Sequence, residues 1–127
     1  MRILVFFFLL ISSNLFAQKT IWLDAEMSKT NQSNAKYYKV GDELNGEVSF
    51  FYKGRTIYRK VYYLNGKPDG RFFEYYKTGE IKTIGNYENG VKEGSWKTYY
   101  VNGKIKEKGK YKNGEKVGIW KTFYKNL

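Results

Sequence analysis

From Gly46 onward, apolar and polar residues alternate in short bursts, and each burst ends in a cluster of Asn, Gly and Lys. In Ser95-Trp96-Lys97-Thr98-Tyr99-Tyr100 the alternation places Trp96, Thr98 and Tyr100 on one face and Ser95, Lys97 and Tyr99 on the other, the period of a half-buried strand. Val101-Asn102-Gly103-Lys104 then turns the chain, because Asn and Gly accept the positive φ of tight turns. The return strand Ile105–Tyr111 is expected to put Ile105 and Tyr111 on one side and Lys106, Lys108 and Lys110 on the other. A second turn is expected over Lys112–Gly118. The unit is a β-hairpin.

It recurs every 24 residues. Tyr63, Tyr87 and Tyr111 keep this step, as do Gly46, Gly70, Gly94 and Gly118, and Ile57, Ile81 and Ile105. So do Val48, Phe72, Trp96 and Trp120, and Tyr52, Tyr76, Tyr100 and Tyr124. The first copy, from Lys39 to Tyr62, is degenerate. Stacking such hairpins gives a single-layer antiparallel β-meander, an all-β fold, with equivalent side chains in columns. The last two series are expected to form the core. Cross-strand aromatic and β-branched pairs contribute about 0.2–1 kcal/mol each, so stability has to come from the stack.

Ahead of the array, residues 18–45 read as an N-terminal cap. Strand-like Ile21-Trp22-Leu23 and Tyr37-Tyr38-Lys39-Val40 flank a polar loop over Met27–Lys36, and Trp22 is expected to pin the cap to the sheet. Residues 1–17 have the order of a secretory signal peptide: Arg2, the apolar run Ile3–Ile11, a polar stretch, and Ala17 as the cleavage residue. That run is shorter than the ~20 apolar residues of a spanning helix. The expected division is therefore a signal peptide over 1–17, a cap over 18–45 and an array over 46–127, in a protein exported to the periplasm or cell envelope.

Composition narrows the chemistry. The chain has thirteen Tyr, nine Phe and three Trp but neither Cys nor His. Disulfides, thiolate or imidazole catalysis and Cys/His zinc sites are thereby excluded. Glu74 stands out among the acids because it replaces Phe50, Thr98 and Thr122 of the other units, yet no second acid in a privileged position accompanies it. Gly90-Val91-Lys92-Glu93-Gly94-Ser95 lacks the order of a phosphate loop, and its recurrence marks it as hairpin structure. No enzyme activity, cofactor, metal site or catalytic residue is expected.

Tyr-x-Asn-Gly-x-x-x-Gly-x-Trp-x-x-Tyr-Tyr-x-x-Gly-x-Ile, from Tyr87 to Ile105, resembles the bacterial variant of the MORN repeat. The likeness runs from about Gly46 to Leu127, with Arg55 standing where a turn Gly is expected. It implies a β-meander and a binding scaffold. Bacterial proteins of this repeat type are often labelled antitoxins, and other MORN arrays are associated with membrane lipids or protein assemblies.

The formal charge is +11, and from Lys97 onward nine Lys face two acids. Such a surface attracts anionic partners. The candidate binding surface comprises Lys97, Lys106, Lys108, Lys110, Trp120, Phe123 and Tyr124. Its expected partner is a protein, a toxin within the antitoxin reading, or else an anionic envelope lipid or glycan. Nucleic acid is set aside for an exported chain.

Overall fold

A computed structural model describes residues 18–124. The expected signal peptide lies outside them. Ten strands form one antiparallel sheet: β1 (Thr20–Leu23), β2 (Tyr37–Val40), β3 (Gly46–Tyr52), β4 (Ile57–Leu64), β5 (Lys67–Tyr75), β6 (Ile81–Glu88), β7 (Val91–Lys92), β8 (Gly94–Tyr99), β9 (Ile105–Lys112) and β10 (Glu115–Thr122). Their order in the sheet follows the chain, with the short β7 paired to β6 ahead of β8. The fold is the expected all-β meander.

Two kinds of turn alternate along the sheet. On one edge Asn65-Gly66, Asn89-Gly90 and Asn113-Gly114 all have positive φ, near 50° at Asn and 77–86° at Gly, the two-residue turn whose twist matches the flanking strands. The turn expected over Lys112–Gly118 is thus only two residues long. Glu115, Lys116 and Val117 already pair with Lys112, Tyr111 and Lys110, and Gly118 (φ 65°) belongs to a bulge inside the strand. On the other edge, the N–H groups of Tyr52, Tyr76 and Tyr100 donate to the carbonyls of Thr56, Glu80 and Lys104. Each of these turns has one left-handed residue: Arg55 (φ 77°), Gly79 (φ 99°) and Gly103 (φ 85°).

A second bulge overturns part of the face assignment. Thr98 pairs with Glu107 but Tyr99 pairs with Ile105, which leaves Lys106 as the extra residue. The same slip occurs at Tyr58 and Lys82. One inserted residue exchanges the faces of everything beyond it. Ile105 consequently shares the face of Tyr99, not of Tyr111, and Lys106 leaves Lys108 and Lys110 for the face of Tyr100, its ammonium 5.8 Å from that ring.

The core lies on one face, here the inner face. Ile21, Leu23, Val48, Phe50, Tyr58, Val61, Phe72 and Trp96 are buried there, with Met27 and Leu44 of the N-terminal segment packed over them. Within the column the partners are matched by size. Phe72 pairs with Val61, whereas Trp96 lies over Gly85 and Trp120 over Gly109. The expected tyrosine column is only half-buried and has a different job. Tyr52, Tyr76 and Tyr100 donate their hydroxyls to the carbonyls of Tyr75, Tyr99 and Phe123 at 2.6, 2.6 and 2.8 Å, so each unit is tied to the next.

At the N-terminal end the cap is built into the sheet, since β1 pairs with β2 and β2 with β3. Ile21 and Leu23 enter the core, and Trp22 rests on Tyr38 on the opposite, outer face, 5.5 Å between ring centroids. Thr30 N–H donates to Trp22 C=O and Lys29 bridges Leu23, so the free edge of β1 is covered by its own loop. A single 3₁₀ turn, Gln32–Asn34, is capped by the Asn31 side chain. Covered edges of this kind block pairing with other chains.

Candidate binding faces

The register carries residues straight across the sheet. On the inner face, Phe50, Arg59, Glu74, Thr83, Thr98, Glu107 and Thr122 are successive cross-strand partners. Apolar at its covered end, the row becomes polar where the N-terminal segment no longer lies over it. Glu74 is 9% exposed and accepts from Arg59 Nε at 3.0 Å, and Lys82 Nζ approaches its other oxygen at 3.4 Å. The Arg59 guanidinium also lies 4.6 Å from the Tyr58 ring centroid. Its charge is therefore balanced by Glu74 and its flat surface is covered by aromatic carbon.

Glu107 is the acid that sequence reasoning missed. Its position two residues before Gly109 and four before Tyr111 already places it on the inner face with Glu74. Three strand spacings separate the two in the row, about 14 Å. The carboxyl pairs of glycoside hydrolases stand no more than about 9.5 Å apart, and both acids are engaged by cations, Glu107 by Lys116 at 3.4 Å. This pair is not spaced as the two carboxyls of a glycoside hydrolase are. Among the described residues there is no cluster of three or more Asp, Glu, His or Cys able to hold a metal ion.

Beside the polar row stands an aromatic wall. Tyr87, Trp96, Tyr111 and Trp120 meet edge to face at centroid distances of 5.0–5.8 Å. Trp96 donates its indole N–H to the Asn86 carbonyl at 3.2 Å, while the equivalent N–H of Trp120 is buried without a partner among the described residues. Lys92 lies 4.8 Å from the Trp96 ring and 5.0 Å from Tyr111, and Lys116 lies 4.4 Å from Trp120. Burial pushes the phenols of Tyr58, Tyr63 and Tyr87 above their ordinary value, because a phenolate would lose its hydration there. Wall and row enclose a hollow of ≈ 220 Å³.

The outer face is different in kind. Its row runs Ser49, Lys60, Phe73, Ile84, Lys97, Lys108 and Lys121, so three lysines are direct neighbours on adjacent strands. Lys110 and Val117 pair beside them. None of Lys97, Lys108, Lys110 and Lys121 makes an ion pair among the described residues. Together with Val117 and Ile119 they line a hollow of ≈ 560 Å³, and Ile119 is 84% exposed.

The candidate surface read from the sequence is therefore divided. Lys97, Lys108, Lys110 and Phe123 share the outer face, where the Lys108 ammonium is 5.8 Å from the Phe123 ring. Trp120 and Lys106 lie on the inner face. Tyr124, at the end of the inner tyrosine column, is 89% exposed. Val117, Ile119 and Lys121 complete the outer patch, and alternation within β10 was the available signal for them.

The family profile described as the MORN repeat variant matches residues 68–89 and 92–113, two consecutive copies of the hairpin. No curated protein matches the chain. Repeats of this family are a non-catalytic type that generally serves binding and scaffolding.

Proposed function

We propose that the protein is a non-enzymatic binding scaffold whose outer face engages an acidic protein surface. The cross-strand run Lys97–Lys108–Lys121 carries this reading. Like charges placed opposite one another oppose sheet formation, and nothing in the fold requires them here. With Val117, Ile119 and Phe123 exposed on the same face, the patch has an apolar centre and a cationic rim, the layout of a protein interface. The charges would steer an acidic partner and the apolar centre would hold it.

The order of residues 1–17 supports export, with residues 18–45 as cap and 46–127 as array. In that compartment, neutralisation of an acidic toxin is the specific form of the function that the repeat type's antitoxin label suggests. Anionic lipid is the second reading, favoured by the unpaired lysines of the outer face. A photo-crosslinking residue at Ile119 tests the proposal. We expect one predominant protein adduct in the producing cell, absent when the crosslinker stands at Thr83 on the inner face and retained at high ionic strength. Adducts to lipid alone, or loss of all adducts with salt, would favour the lipid reading.

A further inference from the structure

We propose that the inner face, between Glu74 and Thr122, binds a linear acidic oligosaccharide laid across the strands. This inference does not rest on the protein-binding role of the outer face.

The inner face is closed at one end and open at the other. Met27 and Leu44 pack over its first strands, where the row residue is Phe50, whereas the later strands present Thr83, Thr98, Glu107 and Thr122 in register. These side chains supply hydroxyl donors and carboxylate acceptors at intervals of one strand, about 4.8 Å. A pyranose ring in an extended chain advances by close to that distance, so successive sugars meet successive strands. The partly exposed rings of the wall, Tyr87, Tyr111 and Trp120, give the apolar C–H edges of the sugars a surface to lie against.

Charge selects the acidic class. Arg59 and Lys82 are both spent on Glu74, and Lys116 is held by Glu107. Lys92 has no carboxylate within ion-pair distance among the described residues, and its ammonium is parked over Trp96 and Tyr111. A uronate carboxylate drawn onto Lys92 would gain a charge-assisted bond while the sugar ring rests beside Tyr111. The hollow beside the row is only ≈ 220 Å³ and is lined by Arg59, Glu74, Thr83, Lys92, Thr98 and Glu107 as well as by rings, which separates this site from an apolar pocket for an acyl chain.

The test uses the full mature chain and hexamers of galacturonate, mannuronate and glucuronate, with cellohexaose as the uncharged control and hexaglutamate as the acidic peptide control. Calorimetry and tryptophan emission are read together. Saturable binding of at least one acidic hexamer is expected, roughly tenfold tighter than cellohexaose, with the advantage removed by Lys92→Gln. Thr98→Val should weaken it severalfold, and Lys108→Glu on the outer face should leave it unchanged. Absence of saturable binding by all three acidic hexamers would overturn the proposal. So would equal binding of hexaglutamate, or sensitivity to Lys108→Glu in place of Lys92→Gln. Circular dichroism of each variant confirms that the sheet is retained.

Discussion

Gly85 is where the packing can be tested most sharply. Its backbone is ordinary for any residue, so a side chain there meets a packing problem and no conformational one. A Cβ at Gly85 would lie 2.2–2.4 Å from three carbons of the Trp96 indole. The indole would have to lift by about 1 Å or more, since carbon atoms pack at ~3.5–4.0 Å. Trp96 has little room to yield. It is 5% exposed, its N–H is bonded to Asn86, and Phe72, Tyr87 and Tyr111 surround it at 5.2–5.8 Å. Overpacking costs about 1–3 kcal/mol, and loss of the indole hydrogen bond adds about 1 kcal/mol. Gly85→Val should therefore lose about 2–4 kcal/mol, although valine is the better strand former. One unit earlier the same position holds Val61 and the facing ring is Phe72. Gly85→Val combined with Trp96→Phe copies that pair and should recover at least ~1 kcal/mol relative to the sum of the single changes. Urea unfolding followed by far-ultraviolet circular dichroism measures all four corners. A Gly85→Val loss below ~0.5 kcal/mol, or strictly additive losses, would refute the size-matching argument.

Arg55 holds the left-handed conformation that Gly79 and Gly103 hold in later units. Arg55→Gly should stabilise the protein by about 1 kcal/mol in the same urea assay. Tyr76→Phe removes the hydroxyl bond to Tyr99 and should cost about 1 kcal/mol, whereas Tyr124→Phe, at an exposed ring, should change stability by less than ~0.5 kcal/mol. The buried phenols make stability fall in alkali. Because the folded protein holds the protons of Tyr58, Tyr63 and Tyr87 more tightly, the unfolded chain releases its own first, at its ordinary pKa of ~10. This contribution is complete below pH ~10 and lost above it. The thermal midpoint should drop between pH 9.5 and 11, by less in Tyr87→Phe.

Much of the fold was legible because the 24-residue step ties the repeated positions to two or three others in equivalent places. Trp96 and Phe72 could be assigned to one column, and the hairpin order followed from alternation. Side assignments failed where the backbone departs from a regular pleat. The bulge at Lys106 leaves no mark in residue type, since Tyr58, Lys82 and Lys106 share the position with different chemistry. A positively charged residue on a strand reads as outward by default, so Lys106 was grouped with Lys108. Gly118 was read as part of a turn because Gly serves turns and bulges alike. The roles of Gly85 and Gly109 were hidden for a related reason, because a missing side chain shows its purpose only when the indole above it is placed. Glu107 could have been found, since counting back in steps of two from Tyr111 reaches it.

The central claim is that the lysine row of the outer face is kept for a partner at a cost to the fold. Lys108→Glu tests it in one protein. A glutamate between Lys97 and Lys121 replaces two like-charge neighbours by two opposite pairs, and even after solvent screening it should stabilise the sheet by about 0.5–1 kcal/mol. The account predicts a higher thermal midpoint together with loss of the protein adduct formed at Ile119. A variant that is no more stable than the parent and still forms the adduct would contradict it.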